Sequence, residues 1–179
     1  MSENQPATPT ETAVVVTVPA AEPVVGDLRS RFDTAAGWGV PAHVTVLYPF
    51  VPPDRVDTTI LARLAEAVAT VPAFSARLTE PRWFGDQALW LAPEPEESFR
   101  ALTAVVWDAF PDHPPYDGTF DDVVPHLTVA DHGTLAELRE AERRVRPLLP
   151  VPTEVSAVQL LAGTAAAGSW RTVRELPLG

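Results

Sequence analysis

The sequence contains no cysteine and no lysine. Without cysteine there are no disulfides, no thiol nucleophile and no Cys-ligated zinc or iron–sulfur site. Without lysine, all 13 basic residues are arginine. That excludes a Schiff-base lysine, the lysyl-nucleotide intermediate of an ATP-using ligase and a P-loop lysine. No Gly-x-Gly-x-x-Gly or Gly-x-Ser-x-Gly motif occurs. Positive charge is scarce overall, with a formal net charge of -11 and a pI of about 4.7. Long nucleic acid is therefore not expected as a partner through bulk electrostatics, although a small anion in a local arginine-lined pocket is compatible with this composition. No apolar run is long enough to span a bilayer, because Pro19, Glu22 and Pro23 interrupt the stretch from Ala13 to Val25. That stretch reads as an edge strand followed by a turn. The polar start, Met1 to Thr12, has no positive n-region, so a cytoplasmic location is the default and no membrane partner is expected.

What is present suits one domain. The chain has 179 residues, 46% of them hydrophobic, and a mean hydropathy of +0.03. Residues 1–12 read as a disordered tail and residues 13–179 as a single bilobal domain. Strands are expected at Ala13–Val18, 42–48, 73–84, 88–92, 126–130, 153–161 and 169–176. Helices are expected at Pro23–Phe32, Asp54–Val71, Glu96–Phe110 and Thr134–Leu149, the last opened by a Thr134/Glu137 capping box. Gly85-Asp86 marks a hairpin, and residues 111–125 form a Pro/Asp/Gly loop. The fold class is α/β in its α+β form: two pseudo-symmetric lobes, each a mainly antiparallel sheet flanked by helices, around a central groove.

The lobes follow from a repeat. Pro41-Ala42-His43-Val44-Thr45-Val46 recurs as Pro125-His126-Leu127-Thr128-Val129. In a strand, residues i and i+2 share a face. His43 and Thr45 then share one face, as do His126 and Thr128, while the aliphatic residues between them turn into a core. Each copy lies within the order helix, His strand, helix, strand, strand, and pseudo-twofold symmetry would bring both His strands to one cleft. Across a phosphodiester, one neutral imidazole can take a proton from attacking water while an imidazolium opposite donates to the leaving oxygen. The threonine hydroxyls can donate to the non-bridging oxygens. No metal or other cofactor is required, and a bell-shaped rate with limbs either side of about pH 6.5 is expected.

The paired motifs, within “PAHVTVLYPF” and “PHLTVA”, resemble those of the 2H phosphoesterase superfamily, in its 2′-5′ RNA ligase-like branch of RNA 2′,3′-cyclic phosphodiesterases. The resemblance extends through the element order from about Ala13 to Leu178. It implies two α/β lobes with both motifs lining a central groove, and opening of 2′,3′-cyclic phosphates, usually to 2′-phosphates; some members form or break 2′-5′ RNA linkages without ATP. Catalytic roles then fall on His43, Thr45, His126 and Thr128, with His43 as acid and His126 as base. Relatives that process RNA often carry an arginine shortly after the second motif, where this chain has Asp131. The expected partner is therefore a small nucleotide or an RNA-end cyclic phosphate, bound by a monomer. ATP-independent 2′-5′ ligation, a non-catalytic nucleotide-binding module and a metal-dependent hydrolase are the competing readings.

Further candidates surround the motifs. Tyr48, Trp83, Arg82 and Trp170 are read as substrate-binding. Trp38 and Trp90 are placed near the groove, Phe50 at its mouth, and Arg171 and Arg174 toward a phosphate. Trp107 is read as packed within its helix, His113 as solvated and His132 as part of a turn. A metal site from His126, Asp131 and His132 is set aside, because the strand ends between them.

Overall fold

The computed structural model describes residues 7–179. Of the tail read at residues 1–12, residues 1–6 lie outside the described residues. Its last two residues already belong to the first strand, β1 (Glu11–Thr17). The helix α1 (Glu22–Phe32) and the short α2 (Thr34–Gly37) lead to β2 (His43–Leu47). After α3 (Thr58–Val68) come β3 (Phe74–Phe84), β4 (Ala88–Glu94), α4 (Glu96–Ala109) and β5 (Leu127–Ala130). The chain closes with α5 (Leu135–Val145), β6 (Val151–Val155), β7 (Ala157–Gly163) and β8 (Arg171–Pro177).

Two four-stranded antiparallel sheets result, ordered β2-β1-β7-β8 and β5-β4-β3-β6. Each His strand is an edge strand, and the two edges meet. Three expectations change. First, β1 is interior, between β2 and β7, because its side chains are buried on both faces: Val14 and Val16 enter the main core, while Ala13 and Val15 enter a smaller one with Val40, Leu161 and Trp170. Second, the strand read at 153–161 is two strands. The chain leaves the second sheet after Val155 and joins the first at Ala157, and the Ser156 carbonyl between them accepts from the Leu178 N–H at 2.9 Å. Third, the helix read from Asp54 begins at Thr58. Pro53–Arg55 forms a 3₁₀ turn, and Asp57 caps the helix by accepting from the Ile60 N–H at 2.8 Å.

The lobes are not consecutive halves of the chain. The hairpin β3-β4 that follows the first His strand builds the sheet of the second, and β7-β8 return to the sheet of the first. The helices cross likewise. α1 packs on β5, and α4 packs on β2, where Thr103 donates to the Val46 carbonyl at 2.8 Å. The two His strands are thus held together by exchanged elements and by one continuous apolar core that contains Val44, Val46, Leu127 and Val129.

Candidate active site

Along β2 burial alternates: Val44 and Val46 are buried, while His43 and Thr45 remain partly accessible. Along β5, Leu127 and Val129 are buried and Thr128 is partly accessible, as is His126 just ahead of it. Both histidines are anchored in the same way. The Nδ1–H of His43 donates to the Pro41 carbonyl at 2.8 Å, and that of His126 to the Val124 carbonyl at 2.7 Å. A carbonyl can only accept, so the proton sits on Nδ1 in both rings and each Nε2 is left free for chemistry.

The two elements that carry the rings, β2 and the start of β5, lie against one another. Burial drives the pKa of His43 down to about 4, with the positive charges of Arg29 and His126 adding to the effect and the Pro41 carbonyl opposing it. Burial also lowers His126, opposed by the Val124 carbonyl. Both imidazoles of the free protein are therefore neutral near neutral pH.

A cavity of about 370 Å³ opens beside His126, walled by Phe84, Tyr116, Phe120 and Val124, with Asp122 at its rim. Tyr116, one wall of this cavity, is also a neighbour of Thr45 of the first motif. Tyr116 and Asp117 have positive φ of 51° and 53°, a conformation that costs about 1–3 kcal/mol where it is held by its surroundings. Here the Tyr116 N–H donates to the Tyr48 carbonyl at 2.6 Å, so the 111–125 loop is tied to the end of β2. Across the second sheet, Arg82, Trp90 and Thr128 form a cross-strand row. Phe84 stacks on Trp90 at 4.8 Å and meets the His126 ring edge-on at 5.0 Å.

The other candidates divide. Arg82 shares the cavity face, over the Trp90 ring at 5.9 Å and paired with Glu80 at 2.7 Å. Trp83 alternates to the opposite face and donates to Glu142 at 3.1 Å. Trp170 is buried in the small core and donates to the Thr164 carbonyl at 2.9 Å; Trp38 packs there too. Tyr48 packs on that core and donates to Glu11 at 3.1 Å, and burial with Glu11 pushes its hydroxyl up to about 12. Phe50 is buried edge-on against Phe110 at 4.9 Å, not at a groove mouth. Arg171 and Arg174 are exposed on β8, the strand farthest from β2, and Trp107 is 44% exposed rather than packed. Asp131 is a tie between segments: its carboxylate accepts from the Thr34 N–H and hydroxyl at 3.0 and 2.9 Å, and its N–H donates to the Phe32 carbonyl at 2.7 Å. Sequence reasoning missed Phe84, Tyr116 and Phe120. For Phe84 the signal was available: it lies two residues after Arg82 on one strand and so on the same face.

The family model of the 2'-5' RNA ligase superfamily matches residues 17–166. E. coli LigT complexed with 3'-AMP superposes with a TM-score of 0.60 at 17% identity, covering 96% of this chain and 99% of LigT. LigT complexed with NADP+ gives 0.57 at the same identity and coverage. The Thermus thermophilus protein TT0787 gives 0.58 at 17% identity, covering 93% of this chain and 97% of its own. No curated protein matches significantly. At these identities the likeness to the solved structures establishes the α+β fold.

Proposed function

Because this chain belongs to the 2'-5' RNA ligase superfamily, we propose that it hydrolyses 2′,3′-cyclic phosphates on nucleotides or short RNA ends without a metal ion, using His43 and His126 as the acid–base pair. The observation that supports this reading most is the matched anchoring of the two rings, each through Nδ1–H to the carbonyl two residues before it. In-line attack and departure at one phosphorus require two such Nε2 atoms, one to take a proton and one to give it.

The step balances within the site. Water attacks phosphorus and gives its proton to Nε2 of neutral His126. The bond to one ribose oxygen breaks, and protonated His43 supplies the proton that oxygen takes up. The product leaves a phosphate monoester, and solvent resets the two rings. The charge of Arg29 behind His43 makes its protonated form a stronger donor, in keeping with the acid role. Thr45 and Thr128 donate to the non-bridging oxygens as negative charge builds there. The aromatic cavity at His126 takes the nucleobase, where stacking contributes about 1–3 kcal/mol. The superposed LigT structures, complexed with 3'-AMP and with NADP+, lend support to a nucleotide-sized ligand. Hydrolysis is favoured over the reverse ligation because ligation brings two RNA ends together on a chain of net charge -11.

Incubation with nucleoside 2′,3′-cyclic phosphates in excess chelator tests this. Turnover is expected, and His43→Ala and His126→Ala should each lower kcat by about 10²–10⁴-fold. Turnover lost with chelator would make it a metal enzyme, and binding without turnover would make it a nucleotide-binding module.

A further inference from the structure

We propose that Arg29 and Arg100 are a matched pair of positioning residues, each fixing the imidazole of one motif through the main chain just ahead of it. Arg29, on α1, donates from Nη2 to the Val40 carbonyl at 3.1 Å. Arg100, on α4, donates from Nη1 to the Val123 carbonyl at 3.1 Å. Val40 and Val123 each stand three residues before the histidine of their motif. The next residue in each segment, Pro41 or Val124, supplies the carbonyl that takes the imidazole Nδ1–H. The same relay from guanidinium to carbonyl, to neighbouring carbonyl, to ring therefore occurs twice. The helices that carry it occupy equivalent places, β1-α1-β2 and β4-α4-β5.

Each guanidinium is itself held by a carboxylate four residues away, Asp33 just past the end of α1 and Glu96 at the start of α4. Arg29 Nε donates to Asp33 at 2.7 Å, and Arg100 Nε donates to Glu96 at 2.7 Å. Arg100 also grips Asp122 at 2.7 and 3.2 Å. On the first motif, Glu22 accepts the Ala42 N–H at 2.7 Å, so Pro41 is held from both sides.

The physical need is clear. An Nδ1–H···O=C bond fixes tautomer and ring plane only as firmly as its carbonyl is fixed. Both acceptor carbonyls lie ahead of the strands, and Pro41 and Pro125 have no N–H to anchor those segments in a ladder. A planar guanidinium can satisfy a carboxylate and a carbonyl at once, which an ammonium does less well.

The effect on rate rests on the proposed hydrolysis, but the effect on the rings does not. Histidine tautomers are read by ¹⁵N NMR alongside kcat and KM on a cyclic nucleotide. Arg100→Met is the first variant, because the Arg100 side chain is 38% exposed and its loss leaves no buried charge alone. His126 should lose its uniform Nδ1–H form while His43 keeps it, and kcat should fall about tenfold or more. Arg100→Lys should fail to restore either property. Arg29→Lys should give the reverse pattern, disturbing His43 and sparing His126. If that variant does not fold, Glu22→Ala, at a side chain 43% exposed, tests the same segment. Unchanged tautomers overturn the proposal, including the case where the freed Asp122 carboxylate raises KM alone. So does a joint shift of both rings with general loosening. Wild-type protein that shows no turnover would refute the hydrolase reading and leave the NMR result to decide this one.

Discussion

An imidazole that starts an edge strand and is nearly covered by its neighbours titrates unlike one in water. The pKa of His43 is lowered to about 4, and that of His126 is lowered as well. Acid–base catalysis needs one ring protonated and one neutral, so kcat/KM reports the singly protonated free enzyme. With both values below the usual 6.5, that population peaks on the acid side. The kcat/KM optimum is therefore expected below about pH 6.5, and the kcat optimum higher, because a bound phosphate anion favours the imidazolium. A symmetric bell about 6.5, the expectation from the bare motifs, would mean that water reaches both rings freely. The same shift links to stability. A depressed folded-state pKa contributes stability that is full above about pH 6.5 and is lost as the pH falls through about 4. The melting temperature of His43→Gln should accordingly fall less than that of wild type between about pH 7 and pH 5. Much of the site at this scale was legible: the i, i+2 rule put each histidine beside its threonine. Arg82 and Trp83, both read as substrate-binding, cannot share a face, since neighbours in a strand point opposite ways; Phe84 is the residue that shares the face of Arg82. The arginine relays were not legible, because both end on carbonyls and no side-chain pattern marks a carbonyl.

At the scale of elements, the sequence showed which segments are helices and strands better than where the strands go. The run from Val151 to Gly163 carries no glycine or proline near Ser156, so nothing local announces that the chain changes sheet there. Likewise, valine-rich β1 fits an edge or an interior strand, and only burial on both faces decides it. Its second face rests on the small core around Trp170, and that core depends on a close approach. A Cβ placed on Gly163, at the end of β7, would overlap Cγ of Trp170. Gly163→Ala must push the indole out of a site closed by Val15, Val40 and Leu161. Overpacking of this kind costs about 1–3 kcal/mol. The expected result is a melting temperature lower by several degrees, measured by calorimetry, with kcat little changed at low temperature because neither His strand contributes to that core. A variant as stable as wild type would show that Trp170 can move at no cost.

The whole molecule carries net charge -11 without a single lysine, and among the described residues six of its 13 arginines, Arg29, Arg77, Arg82, Arg100, Arg143 and Arg146, are paired with carboxylates. Arg82, which stands opposite Trp90 in the second sheet, is held by Glu80. Such a surface repels a polyanion, whereas a mononucleotide, the substrate proposed above, carries little charge to repel. Repulsion grows with each added phosphate, so kcat/KM on oligonucleotide 2′,3′-cyclic ends should fall as the chain lengthens. The fall should be steepest at low salt. At about 0.01 M ionic strength the screening length is about 30 Å and the surface acts as a whole; at about 0.15 M it is about 8 Å and only the site is felt. Raising salt between these limits should therefore increase kcat/KM for a decamer relative to a mononucleotide, the reverse of the dependence expected of a protein that grips RNA by counterion release. A relative preference for the decamer that weakens with salt would reveal a basic track and would move the substrate from nucleotides to RNA chains.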